Sequence, residues 1–206
     1  MLEKFRCSWV KPPDFYIQYH DEEWGVPVHQ DQLHFELFSL GIAQAGLNFR
    51  TVLAKREGYR KAFVDFDISQ LASFEDMNLQ SLYKDPSIIR NKNKILATIN
   101  NARVFLELQA KYGSFDAYIW DFVSGRPIVN YWHAQHEVPS HTPLSDIIAK
   151  DMKQKGFKFV GTTSIYAYMQ SAGLVNDHLI NCFRYQELVN NTNRTSTKDC
   201  LPNRRL

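Results

Sequence analysis

The sequence predicts an all-α domain, and three observations carry that prediction. Apolar residues recur at helical intervals, one helix start is written out in capping chemistry, and no stretch alternates as a half-buried strand does. The interval is plainest at Ile95, Ile99, Ala102 and Leu106, which lay one apolar stripe along a helix of roughly 91–110. Thr142 offers a capping hydroxyl just before Pro143, whose fixed φ suits a first helical turn. That helix carries Leu144, Ile147, Ile148 and Met152, and Gly156 is its expected stop. Asp31 is placed to cap a helix bearing Leu33, Leu37, Phe38 and Leu40. Shorter helical patterns cover about 13–23, 49–64, 75–83, 114–124, 161–172 and 175–183. Residues 1–187 read as one helical domain, and the polar segment 188–206 reads as a loosely ordered tail.

Composition narrows the class. A chain of 206 residues with 44% hydrophobic and 14% aromatic content can bury a proper core. No apolar run approaches the ~18 residues of a membrane span, and MLEKFRCSWV lacks the apolar stretch of a secretion signal. Three cysteines form no disulfide framework, so a reducing, cytoplasmic setting and a monomer are expected. The net charge of +2 neither demands nor excludes a nucleic-acid partner.

Cys7 and His20 lie near the start of the chain, His178 and Cys182 near its end. An i, i+4 pair on a helix would aim His178 and Cys182 from one face, and two thiols with two imidazoles make a closed tetrahedral donor set. Such a set is the stoichiometry of a structural ion and would tie the two ends of the chain together. The same residues read equally as buried small hydrophobes and locally bonded histidines, because the separation of the pairs matches no local zinc-finger signature. Cys200 has no role in either reading.

A set of motifs then becomes recognisable. Arg6-Cys7-Ser8-Trp9-Val10, Tyr19-His20-Asp21-Glu22-Glu23-Trp24-Gly25-Val26-Pro27 and Gln44-Ala45-Gly46-Leu47 are followed by Gly156-Phe157-Lys158-Phe159-Val160-Gly161-Thr162-Thr163 and Gly173-Leu174-Val175-Asn176-Asp177-His178. In order and spacing, over roughly 6–183, they resemble the 3-methyladenine DNA glycosylase I family. The resemblance implies a helix-hairpin-helix DNA glycosylase fold whose ends are linked by one structural zinc on Cys7, His20, His178 and Cys182. It implies a monofunctional base-excision enzyme that flips 3-methyladenine or a related alkylated base out of double-stranded DNA and hydrolyses its N-glycosidic bond. Trp9, Tyr16, Tyr19, Gly41 and Phe49 fall on the family's base pocket. Ser87, Arg90, Asn91, Lys92 and Lys94 fall on the hairpin that grips the DNA backbone.

The chain departs from the family in that pocket. Gly41 stands where the family places a glutamate directed at the edge of the damaged adenine, with Asn48 for a serine and Phe49 for a tryptophan. Glu36 sits about 140° around the helix from Gly41 and points elsewhere. Asp21, Glu22 and Glu23 are the candidate substitutes, and Asp21 reads as well as a support for His20. Weakened or altered specificity is therefore expected; a catalytically degenerate, lesion-binding protein that keeps the fold and the zinc is the alternative.

Overall fold

The computed structural model describes residues 4–198, and side chains through residue 191. Its elements in order are α1 (Asp14–Gln18), a π-helical turn (Tyr19–Glu23), α2 (Asp31–Gln44), α3 (Phe49–Leu53), α4 (Arg56–Ala62), α5 (Ile68–Ala72) and α6 (Asp76–Leu82). There follow α7 (Lys92–Tyr112), α8 (Phe115–Asp121), β1 (Ile128–Val129), α9 (Pro143–Gln154), α10 (Thr162–Ser171), β2 (Val175–Asn176) and α11 (Phe183–Lys198). The architecture is helical, as the periodicity predicts.

The longest helix, α7, organises the core. Ile95, Ile99 and Ala102 of its stripe are buried and Leu106 is half-buried. Asn91 starts it by accepting the Lys94 N–H, and Gly113 stops it at φ +86°. Phe105 stacks on Phe115 of α8 with ring centroids 3.9 Å apart, and meets Phe35 of α2 edge-on at 4.9 Å. The capping reading of Thr142 also holds: Ser145 N donates to Thr142 Oγ1 and Thr142 N donates to Ser145 Oγ. Ile148 and Met152 of α9 are fully buried, whereas Ile147 is 58% exposed. The α9 stripe is thus narrower than its sequence spacing predicts.

Three expectations need correction. Asp31 does not cap its own helix; its carboxylate accepts the Phe115 and Asp116 N–H groups, so it caps α8 across the core. The pattern at 49–64 is two helices, broken at Ala54–Lys55 and ended by left-handed backbone at Val64, Asp65 and Phe66. The 175–183 segment is not helical. Gly173 ends the α10 turn at φ +71°, and β2 pairs in parallel with β1, Val175 opposite Ile128. Two residues per strand are too few for alternation to register. Beyond β2, Asn176 Oδ1 accepts the His178 N–H, an Asx-type turn that competes with helix. The last described helix, α11, spans Phe183–Lys198 with Leu188 buried, and Cys200 lies outside the described residues.

Candidate functional site

The two ends of the chain meet. Phe183 N at the start of α11 donates to Phe5 O, and the Leu179 N–H points at Cys7 Sγ from 3.4 Å. Cys7, His20, His178 and Cys182 converge there, all buried, with their ligand atoms within 4.8 Å of one another. The His178 and Cys182 side chains converge from a turn, not from one helix face. His178 Nδ1 lies 3.6 Å from Cys7 Sγ and 3.5 Å from Cys182 Sγ, and His20 Nε2 lies 3.5 Å from Cys182 Sγ. These four residues can hold a metal ion.

The outer ring nitrogens are engaged too. His20 Nδ1 donates to Asp21 Oδ1 at 2.8 Å, and His178 Nε2 donates to the Trp24 carbonyl at 2.9 Å. Each bond leaves the other nitrogen's lone pair facing the sulfurs. Asp21 is also gripped by Arg6, with Nε and Nη2 at 2.8 and 2.7 Å. Burial pushes the Asp21 carboxyl up, but the Arg6 and His20 hydrogen bonds together outweigh it and hold it below its ordinary value. Cys182 is pushed strongly down, its hydrogen bond from Cys7 outweighing burial. Cys7 moves the opposite way through the same bond and burial, so the cluster favours a thiolate at Cys182.

Against this centre lies an aromatic cleft of about 210 Å³, lined by Trp9, Tyr16, Tyr19, Trp24 and Phe49 together with Gln44, Gln135, Ala167, Gln170 and Ser171. Trp9 joins the two features. Its ring lies edge-on to His20 at 5.3 Å, to Tyr16 at 5.3 Å and to Trp24 at 5.1 Å. Tyr19 is buried, packs against Phe49 at 5.2 Å and donates its hydroxyl to Ser171 Oγ. Burial pushes its phenol up, so it stays a neutral donor. Four of the five expected pocket residues share this cleft. Gly41, the fifth, lies one helical turn before Gln44 on α2, and a Cβ built there meets nothing within 4 Å.

Among the described residues no acid lines the cleft. Asp21 is committed to His20 and Arg6. Glu22 is exposed and accepts from Gln18. Glu23 is taken by Arg56, at 2.8 and 2.6 Å, and buried Glu36 by Arg56 and Arg60 at 2.6 and 3.0 Å. Spacing in sequence did not point to Trp24, Gln44, Gln135, Gln170 or Ser171. Trp24 sits inside a quoted motif, but the α10 residues reach the cleft only through tertiary packing.

The turn between α6 and α7 is braced from α4. Lys55 Nζ donates to Pro86 O, Ile89 N donates to Tyr59 Oη, and Ser87 N donates to Asp85 Oδ1. Gly58 is required here, since a Cβ on it would lie 2.5 Å from Ser87 O. Arg90 and Lys92 are exposed, and Asn91 spends its side-chain oxygen on the α7 cap. Lys94 is buried and corrects the expectation of a phosphate contact. Its ammonium donates to Ala43 O at 2.9 Å and Ala45 O at 2.6 Å, closing the C-terminal end of α2. None of the described helices is long and apolar enough to cross a membrane.

A buried Cys2His2 cluster able to hold a metal thus lies beside an aromatic cleft in a helical scaffold. A sequence model of the methyladenine glycosylase family matches residues 9–185, and the chain belongs to that family. It is 43% identical over 180 residues to DNA-3-methyladenine glycosylase 1 of Escherichia coli (strain K12), spanning 87% of this chain and 96% of that protein. A crystal structure of 3-methyladenine DNA glycosylase I superposes with a TM-score of 0.85 at 44% identity, covering 87% of this chain and 98% of the other. A tyrosine-to-phenylalanine variant of 3-methyladenine DNA glycosylase I in complex with 3-methyladenine superposes at 0.84 with 30% identity, covering 86% and 96%.

Proposed function

We propose that the protein is a DNA-3-methyladenine glycosylase: it flips an alkylated base from double-stranded DNA into the aromatic cleft and hydrolyses its N-glycosidic bond. The single observation that carries this reading is the cleft itself, four indole or phenol rings and Phe49, one of which, Trp9, also packs on His20 of the buried Cys2His2 cluster, in a chain of this family. A purine methylated on a ring nitrogen is cationic in DNA. When the bond to deoxyribose breaks, its electron pair returns to the ring and the base leaves neutral, so no proton must be delivered to it. Water adds to the sugar carbon and loses its proton to solvent, leaving an abasic site. The π-faces attract the cation, by about 1–2 kcal/mol when desolvated. Tyr16 and Tyr19 supply neutral polar edges, and Trp9 and Phe49 supply stacking surface.

Zinc is the ion that suits the centre. Sulfur at roughly 2.3 Å and nitrogen at roughly 2.0 Å from a tetrahedral zinc lie about 3.5 Å apart, which supports the assignment against sulfur–nitrogen separations of 3.5–3.6 Å. Four protein ligands leave no open position, so the ion supplies structure. Around it the chain clamps its own ends and fixes Trp9 and Trp24. The segment 85–92, with Ser87, Arg90, Asn91 and Lys92, is the hairpin that meets the DNA backbone, with the exposed Arg90 and Lys92 supplying charge.

Gly41 favours a second reading, in which the protein binds lesions without excising them efficiently. Incubation with alkylated duplex DNA, with the released bases identified, separates the two. Free 3-methyladenine is expected well above the level without protein; DNA binding with no release would establish the second reading instead.

A further inference from the structure

Asp177 is 2% exposed and has no cationic partner among the described residues. Four neutral donors surround it. Asn130 Nδ2 and Trp132 Nε1 donate to Oδ1 at 2.7 and 2.8 Å, and Tyr166 Oη and Gln170 Nε2 donate to Oδ2 at 2.6 and 2.8 Å. A carboxylate only accepts, so the Gln170 amide must turn its NH2 group toward Asp177 and its oxygen away. Gln170 lines the aromatic cleft, and its Oε1 has no hydrogen-bond partner among the described residues. Gln44 and Gln135 line the same cleft, but no side-chain hydrogen bond among the described residues fixes which end of either amide faces it.

We propose that Gln170 is the acceptor that reads the exocyclic amine of the flipped base, and that Asp177 is the positioning residue that holds the amide the right way round. The inference rests on reading the cleft as a base pocket. Such an amide would let a pocket with glycine at position 41 distinguish a 6-amino purine from a 6-oxo purine. The fixed amide oxygen accepts from an amine and opposes a carbonyl. Selection then comes from a neutral group on α10 instead of a charged group on α2, and it is orientation that makes it selective.

The test is binding of free 3-methyladenine and free 3-methylhypoxanthine, which differ in an amine against an oxygen, to the intact protein and to Gln170→Leu. Asp177 keeps three donors in that variant, so the fold is retained, as an unchanged melting temperature would verify. The intact protein is expected to prefer 3-methyladenine. Gln170→Leu should lose roughly three- to tenfold in affinity for it, the span of one neutral hydrogen bond, while 3-methylhypoxanthine binds no more weakly. Asp177→Asn, whose amide can meet Gln170 either way round, should narrow the same preference. Equal loss for both bases, or no loss for either, overturns the role of Gln170 and leaves the pocket reading standing. Binding of neither base by the intact protein overturns both.

Discussion

The buried Cys2His2 cluster and the aromatic cleft share Trp9 and Trp24 but are built to different standards. In the centre every polar atom is committed. Both histidines use both ring nitrogens, Asp21 is held by Arg6 as well as His20, and both sulfurs are buried. The cleft has half-buried rings at Trp9, Tyr16 and Phe49, an unbonded amide oxygen at Gln170 and open space beside Gly41. A site that must shape the fold tolerates no vacancy, because each unpaired buried donor or charge costs stability directly. A site that must admit a ligand keeps unmet groups for it.

The largest effect should come from breaking the closed site. His178→Ala removes a ligand and the donor to the Trp24 carbonyl, separating the chain ends from one another. A loss of roughly 3–5 kcal/mol is expected, or on the order of 10 °C in melting temperature for a domain of this size. Removal of the metal by a chelator should shift the intact protein in the same direction and leave the variant nearly unmoved. An intact protein that stays equally stable after verified removal of its metal would show that the cluster is held by packing alone.

The open site should respond in the opposite sense. Gly41→Glu places a carboxylate where nothing obstructs a side chain, and it also replaces a helix-interior glycine. Release of 3-methyladenine should rise about ten- to a few hundred-fold, the reach of one charge-assisted hydrogen bond of ~1.5–3 kcal/mol, with the melting temperature unchanged or higher. A variant that is more stable but no more active would mean that position 41 does not address the base.

The two regions were also unequally legible in the sequence. Cys7, His20, His178 and Cys182 could be picked out because their chemistry is rare, yet the reason offered for His178 and Cys182 was a helix that does not exist. The two-residue strand is set by a partner far along the chain and the Asx turn at Asn176 by a side-chain bond to the His178 N–H, neither of which apolar periodicity registers. Asp31 erred in the same way, since a capping carboxylate carries no mark of whose helix it caps. Trp9, Tyr16, Tyr19 and Phe49 were legible through motif position. Gln170 was not, because an amide on an amphipathic helix looks like any surface residue until Asp177 is placed beside it.

Lys94 and Arg90 give the smallest and most discriminating comparison, because sequence reading assigned both to DNA and the structure separates them. Lys94 closes the end of α2, the helix that carries Gly41, through Ala43 and Ala45, so it belongs to the framework under the cleft. Lys94→Met should lower the melting temperature by a few degrees, as two charge-assisted bonds are lost while the stem still packs. The salt dependence of DNA binding should not change, since a buried ammonium displaces no counterion from a phosphate. Arg90→Ala should do the reverse: no measurable change in melting temperature, and a fall of about one in the slope of log affinity against log salt. If Lys94→Met flattens that slope as much as Arg90→Ala does, the ammonium leaves α2 on binding, and the framework beneath the cleft is itself rearranged by DNA.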